Sequence, residues 1–322
     1  MRLLVTGGAG FIGSNFVRRI FDGTIEGISH VTVLDKLTYA GTLTNLEAVA
    51  DNPNFDFIKG DICDHQLIST LAPNIDAIVN FAAESHVDRS IASASEFVET
   101  NIRGVQVLLD AIKSYNKKIR FIQVSTDEVY GSISKGSWDE NSPLLPNSPY
   151  SASKAGGELL ARSYFRTHGL DVVITRCSNN YGPNHFPEKL IPLFITNLLE
   201  NKRIPVYGTG GNVRDWLHVD DHCQGIEKVL KFGKAGEVYN IGGGKELANI
   251  DITNLILSEM GKSDSEIDYV EDRKGHDFRY SVDHSKITND LGYAPKVEFM
   301  LGLQQTIEWY KTNERWWKPL KK

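Results

Sequence analysis

The sequence predicts an α/β fold with a doubly wound parallel sheet. Three observations support this prediction. Short apolar runs typical of buried strands alternate with amphipathic helical segments, a glycine-rich turn joins the first strand to the first helix, and polar residues follow several strand ends. Because parallel strands end at the same edge of a sheet, we expect those polar residues to share one crevice.

The composition excludes several classes of protein. The 322 residues include 41% hydrophobic and 24% charged residues, as in ordinary globular proteins. A net charge of −6 argues against a nucleic-acid surface. No apolar run approaches the ~20 residues of a membrane span, and no leader precedes the first strand. Three widely spaced cysteines (Cys63, Cys177 and Cys223) favour a reducing cytoplasmic location, without disulfides or a zinc site.

The first strand, residues 2–6, runs into the pattern G-x-G-x-x-G from Gly8 to Gly13, and an amphipathic helix follows. Such a turn lets backbone N–H groups approach a pyrophosphate at a helix N-terminus. The context of strand and helix indicates a dinucleotide-binding turn of the Rossmann type. The alternative is a glycine-rich turn in another α/β fold.

The second strand, residues 31–34, ends at Asp35, which lies 22 residues after Gly13. A carboxylate at this position accepts hydrogen bonds from the ribose hydroxyls of adenosine and repels a 2′-phosphate. The sequence therefore favours NAD over NADP as cofactor.

The third and fourth strands, residues 55–58 and 77–81, also end in polar or small residues, and a helix follows around residues 105–112. In sheets of this kind, ligands bind beyond the carboxyl ends of the strands. The positions expected to converge there are Gly10, Asp35, Asp61, Ala82 and Thr126.

The stretch from residue 121 to 154 carries the predicted chemistry. A buried strand at residues 121–125 ends at Thr126, Asp127 and Glu128, and Tyr150 and Lys154 follow. On a helix, Tyr150 and Lys154 lie on one face, where an ammonium lowers the pKa of a phenol. Such a phenolate can take a proton from an alcohol while a cofactor takes hydride. The alternative readings are a chance Tyr-xxx-Lys spacing and two solvated loop acids.

The second half of the chain is less regular. A strand at residues 172–176 is followed by a predicted loop at 177–183 and a helix that begins near 189. We expect loops or short extended segments at 205–208 and 214–218, a strand at 236–241, and a polar run at 272–280. We therefore predict a Rossmann domain for NAD over residues 1–181, to which some later segments return. A smaller α+β lobe over residues 182–322 would bind the substrate, with cationic and amide groups suited to a diphosphate.

With these motifs identified, the sequence from Arg2 to Pro319 resembles the extended short-chain dehydrogenase/reductase family, in its nucleotide-sugar branch. The motifs that carry the resemblance lie at residues 82–90, 125–131, 150–154, 176–183, 214–217 and 272–280. Most of them also occur in nucleotide-sugar epimerases and decarboxylases of the family. The acid pair Asp127 and Glu128 indicates a 4,6-dehydratase, because the sister enzymes lack it.

The resemblance implies NAD chemistry on a nucleotide sugar, with dTDP-glucose as substrate. It assigns Tyr150, supported by Lys154, to remove the proton of the 4-hydroxyl, which Thr126 also contacts. Glu128 then removes the C5 proton, and Asp127 protonates the departing 6-hydroxyl. Chemistry requires one acid ionised and the other protonated, and adjacent carboxyl groups push their pKa values apart. The sequence does not indicate which of the two holds the proton at rest.

The resemblance also implies two sets of binding residues. The cofactor contacts carried over are Gly7, Gly10, Phe11, Ile12, Gly13, Asp35, Lys36, Thr38, Asp61, Ile62, Ala82, Ala83, Thr100, Tyr150, Lys154 and Asn180. The nucleotide-sugar contacts carried over are Ser85, Thr126, Asn179, Lys189, Leu190, Tyr207, Arg214, Asn249, Arg273, His276 and Tyr280.

Two further features receive simple interpretations. His218 and His222 have the spacing of two metal ligands on one helical face, but no third ligand is evident, so packing or hydrogen bonding is favoured. The tryptophans near the C-terminus indicate a short helix rather than a membrane anchor. In the family, the helices near 100–113 and 155–165 pair across a homodimer in a four-helix bundle, although burial within the subunit would give the same pattern.

Three alternatives remain open at this point. A 4,6-dehydratase for UDP-glucose differs only in the preference for one methyl group, which an apolar pocket distinguishes by ~1–3 kcal/mol. A UDP-sugar epimerase or decarboxylase would have no water to expel and no use for the acid pair. A catalytically inactive NAD-binding regulator would be expected to lack the Tyr-Lys pair.

Overall fold

The strands of the chain form one large and two small sheets. The structure, a computed structural model, describes residues 1–115 and 118–321. Its strands are β1 (Arg2–Thr6), β2 (His30–Asp35), β3 (Phe55–Lys59), β4 (Ala77–Asn80), β5 (Arg120–Thr126), β6 (Val172–Cys177), β7 (Asn179–Tyr181), β8 (Ile204–Tyr207), β9 (Val213–His218), β10 (Val238–Ile241), β11 (Glu246–Ala248) and β12 (Ile267–Val270).

The large sheet has seven parallel strands in the order β10–β6–β5–β4–β1–β2–β3. The order reverses at β1 and β4, as in a doubly wound fold. The predicted fold class is therefore confirmed. Although β10 comes after the chain has entered the second lobe, it pairs with β6 at the edge of this sheet.

Helices cover both faces of the large sheet and build most of the second lobe. No helix in the described ranges combines the length and apolar character needed to cross a membrane. The α-helices are α1 (Phe11–Phe21), α2 (His65–Leu71), α3 (Val87–Ala92), α4 (Ser95–Val98), α5 (Val105–Lys113), α6 (Pro149–His168), α7 (Leu190–Leu199), α8 (Val219–Phe232), α9 (Asn249–Glu259), α10 (Ser285–Leu291), α11 (Phe299–Thr312) and α12 (Glu314–Trp317).

The two small sheets correct the predicted loop at 177–183 and agree with the short extended segments expected at 205–208 and 214–218. Residues 177–183, predicted as a loop, contain β7, which pairs in parallel with β9. The segments at 205–208 and 214–218 belong to β8 and β9, which pair with β12 and with β7 and β11. Asparagine is depleted in strands, so only the pairing with β9, distant in sequence, stabilises β7.

In the described part of the chain, three large apolar clusters and a small fourth one around Tyr130 form the core. One lies under α1 and α8, with Phe16 and Ile226 as members, and a second lies under α2 and α5, with Leu108 and Phe121. The third cluster fills the second lobe and includes the fully buried Trp317. The sheet is therefore packed on both faces, and its strand ends remain available for ligands.

The start of α6 is fixed by local chemistry. The Ser148 hydroxyl accepts a hydrogen bond from the Ser151 backbone N–H at 3.1 Å, and the Ser151 hydroxyl accepts one from the Ser148 N–H at 3.1 Å. Pro149 occupies the first helical position, where its missing N–H costs nothing. This capping box places Tyr150 in the first turn, at the carboxyl edge of the sheet.

A buried ion pair joins α6 to β6. The Arg176 guanidinium donates to the Glu158 carboxylate at 2.5 and 3.1 Å, and both side chains are almost fully buried. We expect Glu158→Gln to lower the free energy of unfolding by about 3 kcal/mol, because it leaves a buried cation unpaired. Urea denaturation would measure this change. Glu308→Gln breaks an exposed pair and should change stability by less than about 1 kcal/mol; equal effects of the two variants would contradict the prediction.

Candidate active site

A cavity of about 640 Å³ lies beyond the carboxyl ends of the large sheet, with walls from both halves of the chain. Every catalytic, cofactor-contacting and substrate-contacting residue named from the sequence lies on its wall. The structure thus brings the whole predicted set together. Their individual roles follow from the local geometry.

The glycine-rich turn is shaped so that only glycine fits. Gly7 has a φ of +68°, and a Cβ there would lie 2.6 Å from the Ala82 backbone nitrogen. A Cβ on Gly13 would lie 2.4 Å from the Gly7 carbonyl oxygen. The backbone therefore approaches the neighbouring strand end closely, and the first turn of α1 opens onto the cavity with no side-chain cap at Gly10. This arrangement fits a dinucleotide pyrophosphate.

Asp35 is held ready to bind hydroxyl groups. Its two oxygens accept backbone hydrogen bonds from Ala9 and Leu37 at 2.9 and 2.8 Å, and each oxygen keeps a free lone pair. Burial raises the pKa of Asp35, and the two backbone bonds act against that rise. Lys36 forms an ion pair with Asp61 at 2.7 Å across the same wall.

The acid pair lies at the end of β5, where Asp127 and Glu128 begin a 3₁₀ turn. Burial raises the pKa of Asp127 well above its ordinary value, and the Glu128 and Asp215 carboxylates add to the rise. Its Oδ2 has no hydrogen-bond partner within the described part of the chain and faces the cavity. Burial and the neighbouring carboxylates thus favour the protonated form of Asp127.

Glu128 differs from its neighbour because cations surround it. Burial raises the pKa of its carboxyl too, but the cations Arg273, Arg214 and Lys189 act against that rise. Of the two acids, Glu128 is the one that ionises first. The role of Glu128 as the base stays a prediction, which this contrast supports.

The Tyr150 and Lys154 side chains both lie on the cavity wall, and the predicted effect of the ammonium on the phenol stays a prediction. Lys154 donates to the Val124 carbonyl oxygen at 2.7 Å, and burial lowers its pKa to about 8. Burial raises the pKa of Tyr150 well above 10, the Glu128 carboxylate raises it further, and a hydrogen bond with Thr126 lowers it in part. Burial is the largest cause of the raised pKa of Tyr150.

The opposite wall carries the positive charge. Lys189 donates to the Ser85 carbonyl oxygen at 2.9 Å, and the Arg214 guanidinium lies 4.4 Å from the centre of the Tyr280 ring. The polar run predicted at 272–280 positions two arginines on this wall. Arg214 donates to the carbonyl oxygen of Asp277 at 3.0 Å, and Arg273 is itself part of the run. An anionic group fits this wall despite the net negative charge of the chain.

Several buried polar atoms on the wall have no hydrogen-bond partner among the described residues. They include Asn179 Oδ1, Asn249 Oδ1 and Arg273 Nε. A buried polar atom without a partner is costly, so these positions are built to contact a polar ligand.

Sequence reasoning missed one cluster on the rim of the cavity. The Arg89 guanidinium lies 3.7 Å from the centre of the Tyr39 ring and forms an ion pair with Glu188 at 3.1 Å. These residues come from the loop after β2, from α3 and from the segment before α7, so the cluster bridges the two walls. The motif at residues 82–90 includes Arg89, but no motif in the sequence marked Tyr39 or Glu188.

His222 supports the cavity from behind. It is fully buried, and its Nδ1 lies 2.9 Å from Asn180 Oδ1, while Asn180 Nδ2 donates to the Ser178 carbonyl oxygen. Nδ1 therefore carries the imidazole proton. In residues 1–115 and 118–321, no three His, Cys, Asp or Glu side chains are arranged to bind a metal ion.

The burial of His222 predicts a pH-dependent stability. Burial lowers its pKa from 6.5 to about 3, so the folded state resists a proton that the unfolded chain takes up. Its contribution is complete above pH 6.5 and falls by about 1.4 kcal/mol per pH unit as the pH drops towards 3. His222→Asn keeps a hydrogen-bond donor for Asn180 but does not titrate. Measured by urea denaturation, the free energy of unfolding should fall between pH 7 and pH 5 by about 2 kcal/mol less in this variant than in the wild type. Equal losses in both proteins would refute this.

The comparisons with known proteins agree with this geometry. The family model described as GDP-mannose 4,6 dehydratase matches residues 4–306. The chain belongs to this family. A curated dTDP-glucose 4,6-dehydratase from Streptomyces niveus is 58% identical to this dehydratase-family chain over 323 residues, covering 100% of the chain and 96% of the relative. The resemblance recognised in the sequence is confirmed.

Two solved structures show how far the fold extends beyond one reaction. A dTDP-glucose 4,6-dehydratase from Streptomyces venezuelae, solved with NAD and dTDP bound, is 57% identical with a TM-score of 0.98, and each chain is fully covered. A UDP-glucose 4-epimerase from Thermotoga maritima is 30% identical with a TM-score of 0.89, covering 98% of this chain and 100% of the epimerase. The fold of this dehydratase-family chain therefore leaves the reaction to be decided by the site.

Proposed function

We propose that the protein is a hydro-lyase that converts dTDP-glucose to dTDP-4-keto-6-deoxyglucose and water, with NAD as a bound cofactor. The observation that carries the proposal is the acid pair at the end of β5. Burial and neighbouring carboxylates raise the pKa of Asp127, cations act against the rise at Glu128, and both acids share one cavity with Tyr150. An elimination needs one acid and one base side by side.

The same pair argues against the epimerase and decarboxylase alternatives. Neither reaction expels water, so neither requires a protonated carboxyl group at the end of β5. The relatives with the highest identity that we compared are dehydratases, whereas the epimerase shares only 30% of its residues. An inactive regulator would not need the buried Tyr150 and Lys154 on the cavity wall.

NAD fits the first half of the cavity. The turn at Gly7 to Gly13 leaves room for a pyrophosphate, and Asp35 has free lone pairs for ribose hydroxyls. The carboxylate would repel a 2′-phosphate, which favours NAD over NADP. When bound, NAD supplies a hydride acceptor for the sugar C4 and a hydride donor for C6.

The chain's own residues move the protons. Tyr150, supported by Lys154 on the same helix face, takes the proton of the 4-hydroxyl, and its hydrogen bond with Thr126 acts against the burial that raises its pKa. The resulting ketone acidifies the C5 hydrogen, and the Glu128 carboxylate removes it. Asp127 gives its proton to the 6-hydroxyl, which leaves as water. Glu128 returns its proton to C5 and so regains its initial state. The proton that Tyr150 took from the 4-hydroxyl replaces the one that Asp127 lost with the water, so all three groups end as they began.

We propose that Lys189, Arg214 and Arg273 bind the diphosphate, because three cations on one wall match its charge. The base preference is the finer part of the proposal. UDP-glucose remains the second candidate substrate, since uracil lacks only the methyl group of thymine and a methyl group is worth ~1–3 kcal/mol.

We further propose that residues 1–181 with later segments bind NAD, that residues 182–322 mainly bind the nucleotide sugar, and that the enzyme acts in the cytoplasm in deoxysugar biosynthesis.

We also propose a homodimer through a four-helix bundle. Leu159 on α6 and Val98 on α4 are about half exposed, which supports an apolar contact on this face. Light scattering should give twice the chain mass of 35.9 kDa; a single chain mass would refute the dimer.

The test of the function follows the sugar by proton NMR. The purified protein is incubated with dTDP-glucose or UDP-glucose, without added NAD. We expect a new C6 methyl doublet, with faster conversion of dTDP-glucose. If neither sugar changes even when NAD is supplied, the dehydratase proposal fails.

A further inference from the structure

The backbone of the cofactor-binding turn, Gly7 to Gly10, is held from outside the cavity. Its central residue, Ala9, is fully buried, and its carbonyl oxygen accepts hydrogen bonds from the Thr42 N–H at 3.1 Å and from Asn45 Nδ2 at 2.9 Å. Asp35 holds the Ala9 N–H on the cavity side. The turn is therefore fixed between Asp35, which faces the ligand, and Asn45, which does not line the cavity.

Asn45 connects this turn to the C-terminal end of the chain. Its side chain is 3% exposed, and its Oδ1 accepts from Trp316 Nε1 at 2.9 Å and from Asn184 Nδ2 at 3.2 Å. One side-chain amide thus joins a tryptophan 271 residues away to the phosphate-binding turn.

A second connection reaches the other side of the turn. The Tyr310 hydroxyl donates to the His185 carbonyl oxygen, and the His185 ring stacks on Phe11 with 4.1 Å between ring centres. Phe11 is the first residue of α1, directly after the turn. Trp317, fully buried, holds the Tyr310 carbonyl oxygen at 2.8 Å and so anchors this end of the chain.

We propose that the C-terminal segment, residues 299–320, positions the cofactor-binding turn, with Trp316 and Asn45 as its positioning residues. The inference rests on the proposed function in that the turn binds NAD. Backbone N–H groups bind a pyrophosphate only when their directions are fixed in advance. Loosening the turn should therefore release NAD faster and leave the groups that act on the sugar in place.

The test compares Trp316→Phe with Trp309→Phe. Phe at position 316 keeps an aromatic ring but loses the indole donor to Asn45. Trp309 lies in the same aromatic cluster, with its ring centre 5.0 Å from that of Trp316 and 4.9 Å from that of Tyr310, but the hydrogen bonds of the two connections come from other side chains. The rate of NAD release is measured on the purified holoenzyme by trapping the released NAD. We expect release about tenfold faster in Trp316→Phe, the effect of one lost hydrogen bond, and within about twofold of wild type in Trp309→Phe.

Steady-state kinetics separate positioning from general damage. With saturating NAD, Trp316→Phe should keep the wild-type kcat and the wild-type KM for the nucleotide sugar. The proposal would be overturned by any of three results. Trp316→Phe could release NAD at the wild-type rate, the two variants could release it at equal rates, or Trp316→Phe could lose kcat that added NAD does not restore.

Asn45→Asp provides a second variant should Trp316→Phe unfold. Its carboxylate still accepts from Trp316 but cannot donate to the Ala9 carbonyl oxygen, so NAD release should again be about tenfold faster. Wild-type release would count against the proposal. NAD release is read without sugar turnover, so a protein that holds NAD and converts neither sugar would refute the proposed function but not this inference.

Discussion

Replacing Glu128 by glutamine and Asp127 by asparagine should stop the reaction at two different points. Glu128→Gln removes the base for the C5 hydrogen, and Asp127→Asn removes the acid that expels water. Each change should lower kcat by about 10²- to 10⁴-fold, the usual contribution of a general acid or base. The structure supports this division because cations surround Glu128 whereas carboxylates raise the pKa of Asp127.

Deuterium exchange distinguishes the two variants. In D₂O, Asp127→Asn should still exchange the C5 hydrogen of dTDP-glucose, whereas Glu128→Gln should not, and proton NMR reads both signals. Each variant is the control for the other, because each replaces one of two adjacent carboxyl groups by an amide of the same size. Exchange in Glu128→Gln with none in Asp127→Asn would reverse the assigned roles.

The pH dependence has a definite sign. Asp127 acts in its protonated form, so kcat should fall as the pH rises through its elevated pKa. Asp127→Asn has no such group, so the low kcat that remains in this variant should not fall as the pH rises. A decline that persists in the variant would assign it to another group.

Tyr150→Phe should abolish the oxidation itself. Without the phenol, no group takes the proton of the 4-hydroxyl, and we expect kcat to fall by at least about 10³-fold. Mixing the holoenzyme with dTDP-glucose should then give no absorbance of reduced nicotinamide. The NAD content of the purified protein should be unchanged, because the turn at Gly7 to Gly13 and Asp35 remain.

Tyr164→Phe is a matched control on the same helix. Its hydroxyl donates to Asp110 Oδ1 at 2.7 Å, away from the cavity, so its removal should leave kcat within about twofold. Reduced nicotinamide formed by Tyr150→Phe at the wild-type rate would exclude Tyr150 as the base.

The strand ends explain why so much of the site could be predicted. Gly10, Asp35, Asp61, Ala82 and Thr126 each follow a short apolar run, and a parallel sheet brings such positions to one edge whatever the details of packing. The acids and Tyr150 lie beside that edge for the same reason. Periodicity and topology were sufficient for this part.

Features that depend on distant contacts could not be predicted. β7 exists because β9 pairs with it, and two asparagines in its three residues indicated a loop. The pKa of Tyr150 is decided by burial and Glu128, which the Tyr-xxx-Lys spacing does not include. The bond from Trp316 to Asn45 joins ends of the chain that no local pattern relates.

The late position of β10 also determines when the enzyme can fold during synthesis. Six strands of the large sheet are translated by residue 177, yet the seventh is not made until residue 241. Until then the outer edge of β6 presents unpaired backbone groups to the surrounding solution. A growing chain must therefore protect this edge on the ribosome while about sixty further residues emerge, and a gene cut between the two lobes would yield a fragment with the same exposed edge.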